Sequence, residues 1–171
     1  MMRMSCPAPA LRVALVVLLT AALLSACGFR PRGSVALPED FKNVYVDAPL
    51  EIADEIAIFL ASGGASVITT RADADAVITV QSENYDERVT AVDATTGKAR
   101  GFELIYTLEF SVRMKDGIML ITPEPLSVRR RYVFDQTAVI GATQNVDALR
   151  LDMRRDAAGR IIRSMEVALG K

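Results

Sequence analysis

The stretch Phe102–Lys115, FELIYTLEFSVRMK, alternates apolar and polar residues almost without a break. Phe102, Leu104, Tyr106, Leu108, Phe110, Val112 and Met114 fall on one side, and Glu103, Thr107, Glu109, Ser111, Arg113 and Lys115 on the other; Ile105 alone breaks the pattern. Successive side chains of a strand point to opposite faces, so this period predicts a long antiparallel strand with one buried and one wet face.

On its C-terminal side, Lys115-Asp116-Gly117 reads as a turn into a strand beginning at Ile118–Ile121. Pro123 and Pro125 lack the N–H that a ladder needs, so this strand should lie at a sheet edge or bulge before pairing resumes from Leu126 to Phe134. On its N-terminal side, Thr95-Thr96-Gly97-Lys98 is a turn, preceded by a strand from Ala76 to about Val92. Three long strands in a meander result. Shorter strands are expected at Val44–Val46 and Ser66–Thr69.

Two segments have helical spacing instead. In Leu50–Ala61 the apolar residues Ile52, Ala53, Ile56, Ala57, Phe59 and Leu60 share a face, while Glu51, Asp54 and Glu55 are expected on the wet side. Pro49 suits the first turn, and Ser62-Gly63-Gly64 ends the helix. The last helix is expected to be capped by Asn145 or Asp147 and to run to about Leu169. Leu149, Met153, Ala157, Ile161, Met165 and Leu169 form a row along it, flanked by Val146, Ile162 and Ala168. Such a row packs on the buried face of the sheet more readily than it meets a membrane or a partner helix. Asp156 and Arg160 are spaced for an exposed pair. The fold expected is α+β, a mainly antiparallel sheet of four to five strands with two helices packed on one face.

The start of the chain has a different character. Arg3 and Arg12 precede an apolar run from Val13 to Leu24, with no acid before Glu39. As a helix that run would reach only about 18 Å, short of the roughly 30 Å hydrocarbon core, so it reads as a secretory leader. Leu24-Ser25-Ala26-Cys27 at its end has the form of a bacterial lipobox, in which the cysteine sulfur receives the lipid. Residues 1–26 are thus expected to be a lipoprotein signal peptide, 27–43 a lipidated tether, and 44–171 one domain. Several acyl chains on Cys27 would anchor the chain permanently, since one chain alone holds only marginally. Gly28, rather than Asp, after that cysteine suggests the outer membrane, with the domain on the periplasmic side.

The composition argues against catalysis. The chain has no His, and its second cysteine, Cys6, would leave with the signal peptide, which excludes most nucleophilic triads and most transition-metal sites. Gly97-Lys98 is followed by Ala99 and lacks the earlier glycine of a phosphate-binding loop. No G-x-S-x-G motif occurs, and no cofactor site is indicated. A formal net charge of −1, made more acidic by loss of Arg3 and Arg12, speaks against nucleic acid as a partner. A domain of this size buries roughly two-thirds of its unfolded surface and needs no disulfide.

Several of these residues together resemble the lipopolysaccharide-assembly lipoprotein family, LptE or RlpB. They are the lipobox, the following Cys27-Gly28-Phe29-Arg30-Pro31-Arg32-Gly33, and the order of elements. A further likeness is Arg131-Tyr132-Val133-Phe134-Asp135, followed by Asp152-Met153-Arg154-Arg155-Asp156-Ala157-Ala158. The resemblance implies a non-enzymatic protein that plugs the LptD β-barrel of the outer membrane, helps that barrel assemble, and binds lipopolysaccharide. Basic residues at one tip of the sheet and near the loop before the last helix are implied to meet the lipid A phosphates. In this chain the tip would be the Thr95–Gly101 turn with Lys98 and Arg100, while Thr95 and Thr143 stand where some relatives have the basic residue. Arg129, Arg130 and Arg131 are a second candidate group, in which alternation sets Arg130 opposite its neighbours; a solvated or barrel-facing strand surface explains this triplet equally well. The alternative function is a free-standing periplasmic lipoprotein that binds a lipid or another envelope ligand alone.

Overall fold

The computed structural model describes residues 41–133 and 139–170, with the backbone alone for 139–145. The lipobox, Cys27, most of the tether, Phe134 and Asp135 lie outside these residues. Five strands, β1 (Asn43–Asp47), β2 (Ser66–Val67), β3 (Ala76–Val92), β4 (Ala99–Met114) and β5 (Met119–Val133), form one sheet in the order β2-β1-β3-β4-β5. Two helices lie among the described residues, α1 (Leu50–Ser62) and α2 (Val139–Ala168). β3, β4 and β5 are the antiparallel meander, while β1 runs parallel to both β2 and β3. The fold is therefore α+β, as the sequence predicts.

The alternation in β4 becomes the sheet's buried face: Leu104, Tyr106, Leu108, Phe110 and Val112 are all 2% exposed or less. Ile52, Ile56 and Leu60 of α1 cover it together with Met153, Ala157, Ile161 and Met165 of α2. Ala158 and Ile162 are equally buried, whereas Ala168 is exposed. Gly159 permits close approach of the helices, since a Cβ there would lie 3.2 Å from the ring of Phe59. Pro49 precedes the first turn of α1, and Gly64, at φ +84°, follows its end. Just before β1, Phe41 is buried, and the carbonyl of Lys42 accepts from Ser66 N–H at 2.7 Å.

Several expectations are corrected. β2 stops at Val67 rather than Thr69: Ile68 N–H still donates to the Val44 carbonyl at 3.0 Å, after which the chain leaves β1 and enters a 3-10 turn at Arg71–Asp73. The C-terminal helix starts at Val139, so Asn145 and Asp147 lie within it and do not cap it; no proline interrupts 139–147, and Gly141 costs about 1 kcal/mol in a helix interior. Glu55 is buried, 6% exposed, and pairs with Arg155 at 3.1 Å instead of standing on a wet face. The Asp156–Arg160 pair forms, but beside the sheet: the Asp156 side chain is only 22% exposed and also binds Arg130.

The edges of the sheet are protected against pairing with another chain. β2 is very short. β5 carries Pro123 and Pro125 at a register shift, with Val112 opposite Ile121 and Phe110 opposite Glu124, and three arginines farther along.

Candidate functional site

β3 and β4 extend together into a hairpin whose end carries Lys98 and Arg100. Asp93 organises the turn. Its Oδ1 accepts Thr95 N–H at 3.0 Å, Thr96 N–H at 2.9 Å and the Thr96 hydroxyl at 3.0 Å. Gly97 takes φ +70°, and Asp93 N–H donates to the Lys98 carbonyl at 2.8 Å, closing the hairpin. These bonds, Thr96 N–H first, hold the Asp93 carboxyl below its ordinary range and keep it charged. Lys98 starts the return, and Arg100 lies one residue inside β4. The Arg100 side chain is exposed, and neither cation has an ion-pair partner among the described residues.

The ribbon below this turn is irregular. Register shifts separate Gln81 from Asn84, Val89 from Ala91, and Ala91 from Val92 in β3. The first contains Ser82 at φ 56°, outside the usual range for a residue with a side chain. Gly101 occupies the second: a Cβ there would sit 3.0 Å from both the Ala91 Cβ and the Thr90 Oγ1. Below it, Phe102 stacks on Tyr132 with ring centres 5.3 Å apart, while Val89, Val92 and Val133 are more than half exposed. The end of the meander is thus apolar in its strands and cationic at its turn.

The arginine triplet is divided by strand alternation. Arg131 faces away from the helices, opposite Glu103, which it binds at 3.2 Å; Arg129 lies on the same outer face, opposite Ile105. Ile105, the one apolar residue out of pattern, is 6% exposed there. Arg130 turns inward. It donates from Nε to Asp152 at 2.9 Å, from Nη2 to Asp156 at 3.1 Å, and from Nη1 to its neighbour's carbonyl at 3.1 Å. Bonding to Asp152 and then to Asp156 raises its already high pKa further. Arg130 therefore joins β5 to α2, with every guanidinium nitrogen engaged. Thr143 belongs to the backbone-only part of α2, and Cys27 lies outside the described residues.

A polar cluster between sheet and helix was not foreseen. The bulge at Ser82 turns Glu83 inward, where it accepts the Tyr106 hydroxyl at 3.0 Å and lies 3.6 Å from Arg154 Nε. Arg154 also pairs with Glu51 of α1. Tyr85 stacks on Tyr106 at 4.6 Å, with the guanidinium groups of Arg150 and Arg154 within 5.6 Å of its ring centre. Burial pushes the Tyr85 phenol up to about 12 and raises Tyr106 still more, so both stay protonated; Tyr106 donates to Glu83, while the Tyr85 hydroxyl is buried without a hydrogen-bond partner among the described residues. The only visible signal is the polar run Gln81-Ser82-Glu83-Asn84 inside a strand.

The family model described as "LptE: Lipopolysaccharide-assembly" matches residues 40–165, which is nearly the whole described domain. No curated protein matches the chain. Among solved structures, an uncharacterized lipoprotein B from Nitrosomonas europaea is similar, with 25% identity over 80% of this chain and 88% of its own, and TM-score 0.64. The rare lipoprotein B of Shewanella oneidensis has 22% identity over 76% of this chain and 100% of its own, with TM-score 0.63. A minor lipoprotein from Acinetobacter baumannii has 20% identity, covers 74% of this chain and 92% of its own, and gives TM-score 0.60. These last two likenesses concern the fold.

Proposed function

The chain belongs to the LptE lipopolysaccharide-assembly family, and from that premise we propose that it is a non-enzymatic outer-membrane lipoprotein, anchored through Cys27, that plugs and helps assemble the LptD β-barrel and binds lipopolysaccharide. The observation that carries this reading is the span of the family match, which takes in all five strands, α1 and α2 up to Met165. The tip supports the ligand part. Lys98 and Arg100 stand on a turn fixed by Asp93, above the exposed Val89, Val92 and Val133. Cations beside apolar surface suit a phosphorylated, acylated glycolipid, because charge-assisted bonds take the phosphates and the valines take part of the acyl chains. Arg129 and Arg131 add positive charge on the outer face of the same ribbon. Arg130 belongs to the support of the domain rather than to the ligand site.

Two measurements test this. Detergent extracts of native membranes should yield the protein in a stable complex with a large barrel protein. Isolation of the protein alone, with surface lipopolysaccharide unchanged on depletion, favours the free-standing lipoprotein instead. Lys98→Glu with Arg100→Glu should weaken lipopolysaccharide binding roughly tenfold, the worth of two exposed charge contacts, without unfolding the domain. Unchanged binding by the folded double variant removes the tip as the site.

A further inference from the structure

A groove of about 800 Å³ runs between α2 and the edge strand β5, on the helix side of the sheet and away from the tip. Leu120 and Leu126 supply apolar floor, and the small Ser164 and Ala168 keep the helical wall low. Three features give it a direction and an occupant.

The first is apolar exposure at its lip. Val167, which lines the groove, is 73% exposed, and Ile118, next to the lining residue Met119, is 64% exposed. The second is charge. Arg160 and Arg163 line the groove against the single acid Glu124. Arg160 clasps Asp156 through Nε and Nη2, both at 3.0 Å, whereas Arg163 comes no nearer to that carboxylate than 4.0 Å and keeps a 60% exposed side chain. An arginine with donors to spare beside apolar floor suits a phosphate attached to an acyl chain.

The third is position. Asp75 holds the entry of the domain against the β4–β5 turn: its carboxylate accepts Asn43 N–H at 2.9 Å, and its carbonyl accepts Lys115 N–H at 2.9 Å. Asn43, at the start of β1, therefore lies at the end of the sheet that carries Ile118. The sixteen residues of β4 separate that end from Lys98 and Arg100 by about 50 Å.

We propose that this groove takes one acyl chain of an anionic phospholipid from the leaflet that holds the Cys27 anchor, with the phosphate on Arg163, since Arg160 is committed to Asp156 and the Ser127 carbonyl. The inference rests on the anchored-lipoprotein part of the functional reading, and it makes the end of the domain that carries Ile118 and Val167 a membrane-contacting surface.

The chain has no tryptophan, so Val167→Trp supplies a single fluorescent reporter at the lip, and Val92→Trp, at a residue 61% exposed, supplies one at the tip. Each is placed in the acylated full-length protein on phosphatidylcholine vesicles with and without phosphatidylglycerol, either lipid carrying brominated chains. Brominated phosphatidylglycerol should quench Val167→Trp at least about threefold more than brominated phosphatidylcholine, the effect of one surface charge contact, and Arg163→Glu should abolish that preference. Val92→Trp should stay bright. Equal quenching by the two lipids, a preference that survives Arg163→Glu, or no quenching of protein that floats with the vesicles overturns the proposal. Flotation scores the anchor separately, so a failed groove is distinguishable from a failed anchor.

Discussion

Arg130 of β5 and Asp156 of α2, twenty-six residues apart, meet at 3.1 Å, and the same carboxylate is held from its own helix by Arg160 at 3.0 Å. Asp152 takes the other side of the Arg130 guanidinium at 2.9 Å. One strand arginine thereby fixes the rotation of the C-terminal helix about its axis. The two residues beside it in sequence point to the opposite face. Their roles divide accordingly, which gives the first prediction.

Arg130→Ala should destabilise the domain by about 1–2 kcal/mol, because the largely buried Asp156 and the more exposed Asp152 lose their shared donor. Arg131→Ala should stay within about 1 kcal/mol, since that side chain is 80% exposed and makes one surface pair. Urea denaturation of both variants checks the contrast; equal losses would deny the inward and outward assignment.

Acid should weaken this helix–strand junction in a particular window. Hydrogen bonding to Arg160, and then to Arg130, holds the Asp156 carboxyl below its ordinary 3.8, so the unfolded chain binds that proton more readily than the folded one. The stability contributed by Asp156 is therefore present above about pH 4 and is lost as pH falls through the depressed value. Asp156→Asn should be less stable than the parent at pH 6, and the gap should close below pH 4. A gap that is constant from pH 6 to pH 3 would show the ionised carboxylate to be irrelevant.

Alkali acts on the tyrosines with the opposite sign. Burial raises the Tyr85 and Tyr132 phenols to about 12 and Tyr106 further, each helped by a neighbouring glutamate. Stability from these groups is complete below the unfolded value, near 10, and is lost as pH rises through the folded ones. Three of the chain's four tyrosines are affected. At pH 11 the folded protein should therefore lack most of the phenolate absorbance that the urea-unfolded chain shows. Tyr106→Phe should cost about 1.5–3 kcal/mol at neutral pH through loss of the bond to Glu83.

Gly101→Val should loosen the tip. Its Cβ would meet Ala91 Cβ at 3.0 Å, and a methyl fixed to the opposite strand has no rotamer by which to retreat. A loss of about 1–3 kcal/mol is expected, with faster hydrogen exchange concentrated at Ala91, Val92 and Ala99. Exchange that rises evenly over the sheet would contradict a local clash.

The fold was legible wherever the buried face kept one phase. The alternation in Phe102–Lys115 survives as the core of β4, and the Met153, Ala157, Ile161 and Met165 row meets it. Legibility fails where the phase changes without a glycine to announce it. Ala76–Val92 is one strand as expected, yet Ser82 shifts its register, so Ile78 and Tyr85, of opposite parity, share the helix-facing side. The helical position of Glu55 points it to solvent and gives no hint of Arg155, a hundred residues away in sequence. The turn that carries Lys98 and Arg100 followed from its local chemistry. The inward course of Arg130 followed from alternation, but its two carboxylate partners did not.

The place of α2 in the chain sets the order in which the domain can be completed. Met153, Ala157, Ile161 and Met165 close the layer over Leu104, Tyr106 and Leu108, and they follow all five of these strands in the chain. A nascent chain with all five strands already made still exposes that aromatic and aliphatic face, a state prone to aggregation. Truncation before α2 would therefore leave a bare sheet rather than a smaller folded domain, its aromatic and aliphatic face open to other chains.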